Sequence, residues 1–480
     1  MKNNPIGKNV FYNLIKTLAN IIFPLITFPY ISRVLQPSGI GKYNWANSYV
    51  GYFSLIASLG ISTYAIRECS KLRNDKVQLT KVASQIFSIN VLSMIVAYIG
   101  LFISLILFPF LNKYRLLILI LSLTIFFNII GTDWINSVFE DFKFITIRSI
   151  FFQILALSLM FIFVKKPKDY IVYAIISVLS ASGANITNIL YRRKFCRIRL
   201  TFSLNLKKHI IPIFTLFVLV LVLNIYNNSD ITMLGIFKDN KEVGYYSVAV
   251  KASSVITQVV ASIAYVVMPQ LSMAYKNYDY TKINPLLNRS LQFLVGLGFP
   301  VCFGTIALSR DIVTLLGGKS YYPAGTALVF LMIGFLFSTL GGSFIGNLIL
   351  LPSSREKYFT FAFIISASIN IILNFFLIPK GGAIAAAFTT MIAELILFLL
   401  LIPFVEKKIK LLPMRIFFLP PLIGSIVLLC WCLFIKTIIR VQFLQIAVSI
   451  IGSIIIYAII LWKTKYPLFI ELVDQYIKRK

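Results

Sequence analysis

The chain reads as a succession of apolar runs, each about the length of a membrane-crossing helix and each bounded by charge. Fourteen such runs fall at 9–35, 43–66, 82–110, 116–138, 145–164, 170–191, 210–236, 244–272, 289–316, 324–351, 358–379, 383–404, 416–436 and 443–462. A helix needs about 20 apolar residues to cross bilayer hydrocarbon. In lipid, backbone N–H and C=O groups must be satisfied internally. The expected fold class is therefore an all-α integral membrane protein of about 14 transmembrane helices. Charged residues make up 13% of the 480 and hydrophobic ones 59%, whereas soluble domains carry about 25% charge. The opening stretch MKNNPIGKNVFYNLIKTLAN has no compact apolar core followed by small residues, so it is expected to be a retained first span and not a signal peptide.

The net charge of +30, from 46 Lys and Arg against 16 Asp and Glu, does not indicate nucleic acid, because the cations gather in the short gaps between apolar runs. There they set topology and meet anionic lipid. With the N-terminus inside, the inner segments hold 30 Lys and Arg and the outer loops 13. Both termini are therefore expected on the cytoplasmic side. The strongest contribution comes from 192–208, with Arg192, Arg193, Lys194, Arg197, Arg199, Lys207 and Lys208. That stretch also divides the chain into an N-terminal lobe at 1–191, a basic cytoplasmic linker at 192–209 and a C-terminal lobe at 210–404. Residues 405–480 form two additional helices and a tail. An echo supports the division: IGKYNWA at 40–46 and VGYYSVA at 243–249 share Gly, Tyr and Ala in register at an offset of 203. Parallel repeats are one way to build a transporter around a site.

Polar residues inside the spans are the candidate functional groups. In the first span Asn9, Asn13, Lys16, Asn20 and Thr27 fall within about 60° of helical arc. Pro24 and Pro29 are expected to break the outer half of that helix. In the eighth span Lys251, Ser254, Gln258, Ser262 and Tyr265 share a face, with Lys251 about two turns in. The second span carries a milder stripe of Asn44, Asn47, Ser54, Ser58 and Ser62. Asn224, Asn227 and Asp230 cluster near the outer end of the seventh span, and Glu394 sits in the middle of the twelfth. Intramembrane polar and ionisable groups are costly, and mark either substrate paths or helix–helix adhesion. From sequence both readings stay open. The single histidine, His209, reads as an interfacial residue beside Lys207 and Lys208, and the five cysteines suggest neither a disulfide framework nor a metal site.

Several classes lack their residues. There is no phosphate-cradling GxxxxGK[ST] loop and no HExxH. No outer loop exceeds about ten residues, which leaves little room for the extracytoplasmic catalytic groups of a sugar polymerase.

The segment 29–75, PYISRVLQPSGIGKYNWANSYVGYFSLIASLGISTYAIRECSKLRND, resembles the start of Wzx-type flippases of O-antigen and polysaccharide repeat units. These belong to the superfamily of multidrug exporters and lipid II flippases. NSDITMLG at 228–235 with VGYYSVA at 243–249, and GGAIAAAFTTMIAEL at 381–395, are similar to later signatures of that family. The resemblance implies two six-helix lobes in a V around a central cavity, with two C-terminal helices added. It implies a transporter, not an enzyme: a flippase carrying a polyprenyl-diphosphate-linked oligosaccharide from inner to outer leaflet of the bacterial inner (plasma) membrane, for O-antigen, lipopolysaccharide or other surface polysaccharide. Lys16 and Lys251 are the candidate diphosphate partners. Asn13, Asn20, Asn47, Asn227 and Gln258 are the candidate polar cavity groups. No cofactor is expected; a proton or cation gradient is the candidate energy source, with Glu394 or Asp230 as carrier. Expected partners are the lipid-linked oligosaccharide, membrane lipid, and a polysaccharide polymerase and chain-length regulator. The alternatives are an ion-coupled small-molecule exporter of the same superfamily and a membrane sugar polymerase. The first span is basic and lacks carboxylates, which argues against a cationic drug as substrate.

Overall fold

The computed structural model describes residues 6–477; the side chains of some helix positions, Asn227 and Tyr265 among them, fall outside that description. The described elements are helical throughout. In chain order they are α1 (Ile6–Ser58), α2 (Ile61–Ser70), α3 (Lys76–Leu107), α4 (Arg115–Gly131), α5 (Trp134–Val138), α6 (Phe142–Phe163), α7 (Tyr170–Tyr191), α8 (Leu206–Phe237) and α9 (Asn240–Lys276). They continue as α10 (Tyr280–Ala307), α11 (Ser309–Gly317), α12 (Ala324–Ser338), a π-helical stretch at Thr339–Leu350, α13 (Glu356–Leu401), α14 (Met414–Phe417), α15 (Leu419–Ile438), α16 (Gln442–Lys463) and α17 (Pro467–Ile477). The chain parts into two compact units, Met1–Gly244 and Tyr245–Lys480.

Among the described residues, ten helical stretches are long and apolar enough to cross a membrane. Two of them, Phe11–Ser70 at 60 residues and Glu356–Phe404 at 49, are far longer than one crossing needs. Each contains a break and covers two of the expected runs. The break in α1 lies at Gln36, with φ 59° and ψ 172°, immediately before Pro37. Proline sterically disfavours the α region for the residue preceding it, and the Gln36 side chain donates to the Arg33 carbonyl at 2.6 Å. The expectation of a break at Pro24 and Pro29 is therefore corrected: the helix runs through both. In α13 the break is Gly382, at φ 56° and ψ −135°, a region open essentially to glycine alone.

The expected runs 210–236 and 244–272 lie inside α8 and α9. One boundary moves: the run 289–316 ends as α10 at Ala307, after which Arg310 belongs to the separate helix α11. Arg310 is thus not a cation within a span. It is exposed, lies 4.8 Å from the Tyr322 ring centroid and donates to that hydroxyl at 2.8 Å.

In the first unit, α4 packs on α7, α6 on α7, and α1 on α3. One buried cluster joins Tyr64, Cys69, Ile86, Trp134 and Ile135 to Phe195, Cys196 and Ile213. The sequence 195–204 beyond α7 is therefore stitched to the helices. His209 also differs from its expected interfacial place. It is fully buried in the first turn of α8, with Nδ1 2.7 Å from the Tyr64 hydroxyl and Nε2 3.2 Å from Gln85 Oε1. In the second unit, α12 packs on α13 and α15 on both α10 and α16. The chain after α16 is tied to α10, where the Tyr466 hydroxyl donates to the Gln292 carbonyl at 2.7 Å.

Candidate functional site

Helix α4 ends at Thr132, which takes the left-handed conformation with φ 46°. A helix end leaves carbonyls without partners, and here two buried side chains fill the role. Asn188 donates to the Gly131 carbonyl at 2.7 Å, and Arg192 donates to the Ile130 carbonyl at 2.8 Å and to the Thr132 hydroxyl at 2.7 Å. Arg192, counted by sequence among the topology-setting cations of the basic stretch, is thus a buried cap. A guanidinium at a helix C-terminus also meets the negative end of the helix dipole. The turn that follows places Asp133 beside Arg148 of α6, and the two form an ion pair.

Arg148 and Asp133 line a polar cavity of about 470 Å³ within the first unit. Lys16 and Asn20 of α1 line it too, with Ser54, Ser58, Asn128, Gln153 and Asn185. Amide pairs fix its walls: Gln153 donates to Asn20 Oδ1 at 2.8 Å, and Asn185 donates to Asn128 Oδ1 at 2.6 Å. Arg148 is only 6% exposed, with its guanidinium 5.0 Å from the Phe144 ring centroid. One of its nitrogens reaches Asp133, while Nε and Nη1 are buried and make no hydrogen bond among the described residues. Such a group in low dielectric favours an anionic or acceptor-rich partner, because unpaired buried donors are costly. Lys16 is in no ion pair among the described residues. The cavity thus offers two cations against one carboxylate, flanked by amides and hydroxyls.

The structure brings together only part of the expected set. Lys16 and Asn20 reach this cavity. Asn13 is exposed on α1, Asn47 is exposed further along it, and Asn9 and Thr27 are buried, so the first-span stripe is shared between the cavity and helix packing. Of the second stripe, Ser54, Ser58 and Ser62 line the cavity. Asp230 is buried on α8, and the Asn227 side chain lies outside the described residues. In the second unit Lys251 is half-buried and Gln258 exposed on α9, and Glu394 is half-buried in the latter half of α13. Arg148 went unnoticed in the sequence because, one turn into an apolar run, it reads as another topology cation. The opposed Asp133, near the end of the preceding run, was the available signal.

The second unit holds a different cavity, about 570 Å³, with walls from α10, α15, α16 and α17 that include Phe293, Leu297, Leu428, Ile454 and Tyr457. It is apolar almost throughout. The Tyr457 hydroxyl is spent on the Gly296 carbonyl at 2.6 Å, which leaves a surface suited to hydrocarbon.

Comparison with known proteins places these features. The family model described as "Polysaccharide biosynthesis protein" matches residues 6–275, and that of "Lipid II flippase MurJ" matches 245–476. The chain is 23% identical over 405 residues to the "Putative O-antigen transporter" of Escherichia coli (strain K12), covering 84% of this chain and 97% of that one. It is 24% identical over 399 residues to the "Capsular polysaccharide biosynthesis protein CapF" of Staphylococcus aureus, covering 81% and 96%. Among solved structures, lipid II flippase MurJ in an inward closed conformation has the same fold, with a TM-score of 0.75 over 94% of this chain and 98% of that one at 18% identity. A family model spanning more than half the chain settles membership: this is a multi-pass membrane protein of the polysaccharide biosynthesis protein family.

Proposed function

We propose that this chain is a flippase that carries a polyprenyl-diphosphate-linked oligosaccharide from the inner to the outer leaflet of the bacterial plasma membrane, for surface polysaccharide assembly. The observation that carries the reading is the half-satisfied Arg148 guanidinium, which lines one polar cavity together with Lys16. Phosphate oxygens are acceptors that a guanidinium binds through paired N–H groups and an ammonium binds as a point charge. The amides of Asn20, Gln153, Asn128 and Asn185 suit sugar hydroxyls. Names of relatives that refer to O-antigen transport and capsular polysaccharide agree with this substrate class.

In this reading the protein transports and catalyses no covalent step. Both termini and residues 192–208 face the cytoplasm, as the charge bias expects. Lys251 and Gln258 on α9, with Asn13, Asn47 and Asn227, are further substrate contacts, and Asp230 or Glu394 carries a coupling ion. A polymerase and a chain-length regulator act on the product. The test is glycan export in cells lacking the native gene. Lys16→Ala, Lys251→Ala and Arg148→Gln are each expected to cut export by roughly tenfold to a hundredfold and to leave lipid-linked repeat units on the inner leaflet, with protein still in the membrane. Undiminished export from the combined Lys16→Ala/Arg148→Gln variant overturns the anionic-substrate mechanism.

A further inference from the structure

The basic stretch after α7 is not a solvated tether. Its backbone is fastened along α3: the Arg199 N–H donates to Ser84 Oγ at 3.1 Å, the Thr201 N–H donates to Ser88 Oγ at 2.8 Å, and Gln85 donates to the Ser203 carbonyl at 2.8 Å. Phe195 and Cys196 anchor its start in the buried cluster. Residues 197–203 are thereby held as a fixed ribbon with no helix of their own.

Extended chain sends alternate side chains to opposite sides, and here the two sides differ in kind. Arg197, Arg199, Thr201 and Ser203 line a cavity of about 690 Å³, whose other walls carry Lys76 and Lys81 of α3 with Arg193 and Lys194. Six cations surround it, no carboxylate lines it, and none of the six is in an ion pair among the described residues. The intervening positions Leu200 and Phe202 are exposed, Phe202 fully so, as is Val77 at the start of α3. Six like charges around one hollow repel one another, and bare Phe and Leu side chains in a basic loop are unfavourable in water. Both costs vanish in one setting, an anionic membrane surface with the apolar side chains among the first acyl carbons.

We infer that this hollow binds the phosphate headgroup of an anionic glycerophospholipid of the cytoplasmic leaflet, with Leu200 and Phe202 seated in the adjoining acyl region. The site is separate from the transport cavity, and it rests on the cytoplasmic placement of 192–208 given above. Its role is to fix the amphipathic ribbon, and with it the cytoplasmic ends of α3 and α7, to the bilayer surface.

The experiment uses the purified full-length protein in neutral detergent. Binding is read by native mass spectrometry and by the shift in thermal midpoint, with phosphatidylglycerol, phosphatidylethanolamine or inorganic phosphate added in turn. Phosphatidylglycerol alone is expected to bind and raise the midpoint. Lys81→Gln/Arg197→Gln/Arg199→Gln is expected to weaken that binding on the order of 100-fold, from roughly a fivefold contribution of each of the three cations. The charge-keeping Lys81→Arg/Arg197→Lys/Arg199→Lys is expected to retain it, which separates charge from folding. Leu200→Ser/Phe202→Ser is expected to weaken lipid binding as well. Equal response to phosphatidylethanolamine, or full affinity in the Gln variant, overturns the proposal. Inorganic phosphate binding as tightly as the lipid would make this a free-anion site and overturn it too. Reporter fusions that place Arg199 outside would overturn the assignment to the cytoplasmic leaflet, whereas loss of transport in Arg148→Gln leaves this binding unaffected.

Discussion

Gly41 and Gly244, the two glycines that coincide in the internal sequence echo, lie directly against each other within the first unit. A Cβ on Gly41 would fall 1.7 Å from the Asn240 carbonyl oxygen and 3.0 Å from the Gly244 nitrogen; a Cβ on Gly244 would fall 2.1 Å from the Pro37 carbonyl oxygen. Each glycine admits the backbone beside the other. The matched Gly of IGKYNWA and VGYYSVA is thus explained by reciprocal close approach, a use of small residues common where membrane helices meet.

Gly41→Ala and Gly244→Ala are each expected to destabilise the protein by about 1–3 kcal/mol or more, because the obstructing atoms are backbone and cannot swing aside. Thermal midpoints of purified variants test this. Midpoints equal to wild type contradict it, with Gly51→Ala as the control, since nothing lies within 4 Å of a Cβ there.

The same packing explains other signatures and shows how much was legible. Trp45 lies over Gly235, whose Cβ would meet the indole at 1.8 Å, and donates to the Thr232 carbonyl at 3.1 Å. Ser48 and Tyr52 reach the Thr232 hydroxyl, each at 3.1 Å. KYNWA and NSDITMLG are therefore complementary halves of one joint, which a single sequence presents only as two unrelated polar stretches. Spans were legible because apolar length is local information. Lys16 stood out because a cation deep in a run has no other local explanation. The buried cap Arg192 and the buried His209 did not, since their partners Ile130, Tyr64 and Gln85 are distant in sequence. The break at Gln36 was signalled by Pro37, though Pro24 and Pro29 offered the same signal and do not break the helix.

His209 makes stability depend on pH. Burial, with Lys208 next to it, holds its imidazole below the usual 6.5. The unfolded chain takes up this proton near pH 6.5 while the folded chain still resists it, so its contribution is full above that pH and declines below it. The thermal midpoint is expected to fall from about pH 7.5 to about 5.5, and to fall less in His209→Gln. Parallel pH profiles for the two proteins would show that the imidazole is not the group responsible.

Topology has a direct check. Reporter fusions after Lys168 are expected to read outside and fusions after Arg199 inside, from the bias of 30 inner against 13 outer cations. Reversed signals would invert the assignment of cytoplasmic faces.

Energy coupling is testable through Glu394. Wild-type flipping in proteoliposomes is expected to respond to an imposed pH gradient, and Glu394→Gln is expected to lose the response. Rates indifferent to the gradient, or a variant that keeps the response, contradict a carrier role at this position.

The central claim is that Lys16 and Arg148 hold an anionic head group, and initial flipping rate in proteoliposomes loaded with polyprenyl-diphosphate-linked oligosaccharide measures it most directly. Arg148→Gln and Lys16→Ala are each expected to slow flipping by roughly tenfold to a hundredfold, the loss of one hydrogen bond to a charged group. Arg148→Lys is expected to keep part of the rate, since it retains charge without the guanidinium fork. Wild-type rates from the combined Lys16→Ala/Arg148→Gln protein would contradict the account.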